Sequence, residues 1–222
     1  MSLLTPHIGS QLVDLGSALL LLTCFAIVAQ RRLSACVDLF ALQSVFLALT
    51  AALVAFLTGI HHIYIAAALT LGIKVVVIPR ILKQVIERLN VKRELEMNVN
   101  VPSGLLICGG LVILAFFITQ PIIPLGFLLT RDSLAIALAI ILIGFFTMIA
   151  RKKAVTQVIG FLVMENGLFL GATAAAYGMP LIVELGVFFD VLVGALIIGI
   201  YSHRLQDAFD SVDTSKLTTL KE

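Results

Sequence analysis

Apolar residues run through this chain in long blocks, interrupted by short clusters of charged residues, proline and glycine. Each block approaches the roughly 20 residues that a helix needs to cross about 30 Å of hydrocarbon. Seven such segments are predicted, at Ile8–Ala29, Ser34–Gly59, Ile63–Leu82, Val101–Gln120, Ser133–Ala150, Val155–Gly178 and Pro180–Tyr201. None alternates apolar and polar residues as a barrel strand does. The expected fold is an all-α integral membrane protein, a seven-transmembrane-helix bundle. No cleavable signal is expected, because the first apolar block is too long and lacks a basic flank.

Composition points the same way. Hydrophobic residues make up 60% of the 222, charged residues only 13%, and the mean hydropathy is +1.13. A soluble domain of this size cannot bury so much apolar surface. Basic residues then set the orientation, since cytoplasmic loops collect Lys and Arg. Of the 15 Lys and Arg residues, all but Arg131 and the intrahelical Lys74 fall on one side of the seven-span arrangement. That side is expected to be cytoplasmic and to hold the C-terminus, with the N-terminus outside. A net charge of +2 gives no dense basic patch for a nucleic-acid partner.

Two polar stretches lie outside the spans. Lys83–Asn100 is expected to extend the third helix into the cytoplasm or to lie on the membrane surface. His203–Glu222 reads as a cytoplasmic tail, either a solvated end or a segment long enough to dock on a soluble partner. The loop Pro121–Asp132 separates four helices from three, so the chain divides into a four-helix region, 1–120, a three-helix region, 121–202, and the tail, 203–222.

Charges inside hydrocarbon cost roughly 2.5–3.5 kcal/mol each on insertion scales, and six lie within the predicted spans: Asp14, Asp38, Lys74, Glu165, Glu184 and Asp190. Asp38 and Glu184 sit close enough to a helix end to reach interfacial water. Asp14 is about 9 Å from its helix end at 1.5 Å per residue, between interface and interior. Asp14, Asp38 and Glu184 are thus either secondary relay groups or interfacial carboxylates. Lys74, Glu165 and Asp190 belong near the midplane, on three different helices. Two readings compete for them. One is an internal ion pair that locks the bundle. The other, preferred here, is a lateral row of proton-exchanging groups, because burial narrows the difference in proton affinity between an acid and an amine.

The context of these residues supports a functional reading. In LGIKVVVIPR, Pro79 removes a backbone donor and frees the Val75 carbonyl beside Lys74, breaking the helix. In GFLVMENGLFLGA, Gly160, Gly167 and Gly171 share one face and predict a close approach of another helix. The three cysteines, Cys24, Cys36 and Cys108, have no metal-site spacing and read as small core residues. His7, His61 and His62 are expected near the outer interface. No nucleotide, haem, iron–sulfur or hydrolytic motif is present, so no catalytic, cofactor-binding or metal-ligating residues are assigned.

The stretches GFLVMENGLFL, VELGVFFDVLVGALI and the tail DTSKLTTLKE, together with GIKVVVIP, resemble the hydrogenase-4 component E family along the whole chain. The last three helices also resemble the small K-type subunit of respiratory complex I and its counterpart in multi-subunit sodium/proton antiporters. Those subunits carry one buried glutamate on each of two helices. Glu165 matches the first, and Asp190 matches the second with one methylene fewer. The resemblance implies a non-catalytic subunit in a prokaryotic plasma membrane, with antiporter-like and other complex-I-like membrane subunits and a cytoplasmic redox arm, a group 4 [NiFe] hydrogenase, as partners. A [NiFe] centre and iron–sulfur clusters would then reside in partner chains. Two other functions stay open on the residues alone: an independent small ion or proton transporter, and a structural assembly subunit.

Overall fold

The computed structural model describes residues 6–88, 99–121, 131–152 and 154–176, and residue 194. Every element in these residues is helical. Helix α1 spans Pro6–Ala29, and α2 spans Leu33–Thr58. The third crossing is composite: α3 (His62–Thr70), a π-helical segment (Leu71–Val77) and α4 (Ile78–Arg88) follow one another without a break. Helix α5 covers Val101–Thr119, α6 covers Arg131–Ala150 and α7 covers Ala154–Ala176.

Among the described residues, six crossings are long and apolar enough to span a membrane, and their bounds follow the first six predicted segments to within a few residues. The chain is a multi-pass helical membrane protein. Apart from residue 194, the seventh predicted segment, Pro180–Tyr201, with Glu184 and Asp190, lies outside the described residues, as does the tail.

Local chemistry sets the helix ends. Arg32 is extended (φ −103°, ψ 127°) just before α2. Gly59 ends α2 in the left-handed region, at φ 73°, with its N–H on the Ala55 carbonyl. A side chain there would be strained, so glycine allows the sharp return into α3. Pro102 lies in the first turn of α5, where a missing N–H costs nothing. Helix α4 carries Lys83 onward as a continuation of the third crossing, with Leu82 and Val85 buried and Lys83, Gln84 and Glu87 exposed. This is the extension anticipated for the start of Lys83–Asn100; residues 89–98 lie outside the description.

Helix α2 packs against α1, all three parts of the third crossing, and α7. Helices α6 and α7 form a tight antiparallel hairpin that leans on α1 and α5. A Cβ added at Gly144, Gly160 or Gly167 would lie 2.7–3.0 Å from backbone nitrogens of the facing helix. The glycine stripe of α7 is therefore where α6 makes its close approach, and Gly144 supplies the matching notch on α6. Buried hydroxyls return their protons to carbonyls one turn earlier, as at Ser44, Thr70, Thr119, Thr147 and Thr173. Hydrocarbon offers these groups no other partner. The exterior carries large apolar side chains such as Leu49, Phe56, Leu106, Ile113 and Phe117, suited to lipid.

Candidate functional site

Midway along the third crossing, the π segment carries Lys74 into the bundle with 2% of its surface exposed. The Ile78 N–H reaches back five residues to the Ile73 carbonyl, the spacing of a π turn. Pro79 follows at once, buried, and cannot donate to Val75 four residues back. The expected irregularity beside Lys74 is thus present, in the form of a π segment rather than a gap.

Helix α7 meets Lys74 with two adjacent side chains. The ammonium Nζ lies 2.9 Å from Glu165 Oε1 and donates to Asn166 Oδ1 at 3.2 Å. Glu165 is 3% exposed and Asn166 fully buried. At that distance the contact with Glu165 is a charge-assisted pairing of ammonium and carboxylate. The locking ion pair considered from the sequence is present, and it joins two of the three residues proposed for a relay. Asp190, the third, lies outside the described residues.

The polar contact continues through α2 to α1. Asn166 Nδ2 donates to Gln43 Oε1 at 3.1 Å and to Ser44 Oγ at 3.4 Å. Gln43 Nε2 in turn donates to the Leu20 carbonyl at 3.2 Å and contacts Cys24 Sγ at 2.8 Å. Four crossings therefore meet in one buried polar row at mid-depth. Gln43 and Ser44 escape a search confined to ionisable side chains. Their signal is an amide and a hydroxyl, adjacent and ten or more residues from either end of an apolar helix.

The remaining ionisable residues sit elsewhere. Asp14 is half-buried and accepts a hydrogen bond from Ser133 Oγ at 3.2 Å; Ser133 also contacts Ser17 Oγ at 2.8 Å. This cluster ties α1 to α6 well away from Lys74. Asp38 pairs with Lys83 at the other end of the bundle, with both side chains about half exposed, as befits an interfacial carboxylate. His61 is exposed at the start of α3, its ring stacked near Tyr64. No group of His, Cys, Asp and Glu among the described residues has metal-site geometry. Cys24, Cys36 and Cys108 are free and buried.

Nearly the whole length of the chain is similar in sequence to known proteins. Hydrogenase-4 component E of Escherichia coli K12 and of Shigella flexneri is 24% identical over 216 residues, covering 96% of this chain and 99% of theirs. An uncharacterized protein of Mycobacterium tuberculosis is 36% identical over 214 residues, covering 96% of this chain and 97% of its own. The chain belongs to the hydrogenase-4 component E family. No family model matches it, and no solved structure gives a significant match.

One further buried charge in this component E family member has no part in the row. Arg151, at the corner between α6 and α7, is 3% exposed. Its Nη2 donates to the carbonyls of Ile27, Val28 and Gln30, at 3.2, 3.1 and 3.0 Å, where α1 ends. Burial pulls the guanidinium below the ordinary arginine pKa, but arginine stays charged at any physiological pH. It serves as a distant cap for orphan carbonyls at a helix C-terminus, where a cation is also favoured by the helix dipole. From the sequence, Arg151 reads only as part of a basic loop.

Proposed function

We propose that this chain is a non-catalytic membrane subunit of a group 4 [NiFe] hydrogenase or a related complex-I-like complex. In this reading Lys74, Glu165 and Asp190 take part in proton translocation coupled to redox turnover. The family membership supports the type of complex. The observation that carries the relay is the Lys74–Glu165 pair: an amine and an acid, both midway along their helices and both almost fully buried, in direct contact between two crossings. Such a pair loses its attraction once Glu165 accepts a proton, and burial makes that response large.

Antiporter-like membrane subunits and a cytoplasmic redox arm are the proposed partners, with the metal centres in those chains. The basic end of the bundle, with Arg31, Lys83 and Arg151, is proposed to face the cytoplasm. Asp14 and its hydroxyl partners are a proposed secondary relay near the opposite face.

One observation favours a second reading. The ion pair also fits a structural subunit in which Lys74 and Glu165 lock α7 to the third crossing. Glu165→Gln separates the two in membrane vesicles holding the assembled complex. As a relay group, Glu165 gives a variant that assembles and passes electrons while moving at least threefold fewer protons per electron. Wild-type pumping with an intact complex would reject the relay and leave the lock. Affinity purification in mild detergent tests the wider assignment: co-purifying [NiFe] and iron–sulfur proteins support it, and a chain that purifies alone defeats it.

A further inference from the structure

The cluster that ties α1 to α6 has one more contact than it has hydroxyl protons. Its contacts form a single chain. Ser17 Oγ lies 2.9 Å from the Val13 carbonyl oxygen, the Ser17 and Ser133 hydroxyls are 2.8 Å apart, and Ser133 Oγ is 3.2 Å from Asp14 Oδ1. Each contact brings two oxygens together and needs a proton between them. The serines supply one each, and both are fully buried, away from bulk water. With Asp14 as a carboxylate, Ser133 donates to it, and Ser17 can then serve Ser133 or Val13 but not both. One contact would set lone pairs against lone pairs. With Asp14 as a carboxylic acid the count closes: Asp14 donates to Ser133, Ser133 to Ser17, and Ser17 to Val13.

We propose that Asp14 is a proton-binding site that is loaded in this structure, a neutral acid whose proton points at Ser133. The protonation stands on the count of contacts; its service as a secondary relay group rests on the reading above. The surroundings suit an uncharged acid. Asp14 is half-buried, and its open side borders exposed Gln11 and Ala18 on a helix face turned to hydrocarbon, where a charge is costly. Helices α2, α5 and α6 pack against α1. Among their described side chains, the charged group that acts on Asp14 is exposed Asp132 of α6, a like charge. Cys36 and Asp38 lie near the other end of α2, and Cys108 of α5 lies near Cys24, nearly three turns further along α1.

Unloading breaks the Asp14 O–H bond and passes the proton to water reaching its open side from the interface, about 9 Å of helix away. Ser133 then turns its hydrogen from Ser17 to the carboxylate, and Ser17 turns its own from Val13 to Ser133. The Val13 carbonyl keeps its helical N–H donor. A carbonyl ends the chain and cannot pass a proton on, so Asp14 loads and unloads from its open side while the two hydroxyls turn over with it.

Infrared difference spectroscopy on the full chain in lipid nanodiscs tests this. At neutral pH, wild type minus Asp14→Asn is expected to show the C=O band of one carboxylic acid; carboxylate bands in its place overturn the proposal. The variant puts an N–H where the acid has its O–H and keeps every contact, so its failure to fold overturns the proposal as well. In alkaline buffer the acid band is expected to give way to carboxylate bands as the site unloads. A band that persists there shows a fixed structural proton and overturns the exchange. Ser133→Ala removes the acceptor and should move the band to higher wavenumber, whereas an unmoved band overturns the direction of the chain; if that variant does not fold, the Asp14→Asn difference decides alone. Pumping by Asp14→Asn in the assembled complex is measured alongside. Normal pumping removes the secondary relay reading and leaves the acid proton standing, whereas carboxylate bands at neutral pH remove the proposal whatever the pumping.

Discussion

Lys74 and Glu165 show how much a single residue discloses in this chain. Each stands out in the sequence as an ionisable group midway through an apolar segment, and each occupies the interior. An ion pair of Lys74 with one of the acids was a sequence alternative, but which acid was not legible, because hydropathy gives depth along a helix but not the direction in which the helix is rotated. Gln43 was missed for a different reason: an amide costs less to bury than a charge, so it stands out less against an apolar background. The pair yields a stability prediction independent of function. Lys74→Met leaves a buried carboxylate without its cation and should destabilise the purified protein by about 3–5 kcal/mol, whereas Lys74→Met with Glu165→Leu should recover part of that, short of the hydrogen bond that Asn166 loses. Thermal denaturation in detergent checks both. A double variant as unstable as the single would mean that other groups depend on the pair.

Among the helices, length and the place of the irregularity near Pro79 were legible, but its π-helical form was not. Six crossings begin and end close to where the apolar blocks do. The glycines of α7 announced a close neighbour, but not that it would be α6, nor that Gly144 would complete the fit. At Gly144 a Cβ would lie 2.7 Å from the Met164 backbone nitrogen, whereas at Gly110 on α5 it would meet nothing within 4 Å. Gly144→Ala should therefore destabilise by about 1–3 kcal/mol. Gly110→Ala should be neutral or stabilising by up to about 1 kcal/mol, as alanine is the better helix former. Equal melting temperatures for the two would contradict the tight hairpin. Arg151 also acts between elements. Its replacement by Met removes three hydrogen bonds from carbonyls at the end of α1 and should cost about 2–4 kcal/mol. Arg151→Lys should recover part of that, since all three bonds come from one nitrogen and an ammonium also carries three donors. Unfolding midpoints in denaturant report the difference.

At the scale of the whole molecule, the sequence established the kind of protein but not the neighbours of each helix. Nothing in hydropathy says that α2 sits between α1, α7 and the third crossing, because lipid and protein are equally apolar surroundings for a leucine. Orientation is the property that charge counting does predict. A single cysteine at Lys152 should react with a membrane-impermeant thiol reagent only from the cytoplasmic side, and one at Gln120 only from outside; the native cysteines are buried. The reverse labelling would invert the bundle. The π segment has a consequence for descent as well as for structure. A π turn is how a helix absorbs one residue more than its α-helical pitch requires, and each residue in an α-helix turns the chain by about 100°. Remove one residue between Leu71 and Val77, and the crossing can close into a regular α-helix whose two halves, with Ile63 and Ala66 in one and Leu82 and Val85 in the other, keep their buried faces. What goes is the π turn beside Lys74. A relative with a one-residue gap there would keep the packing of the crossing and lose the local geometry around the lysine.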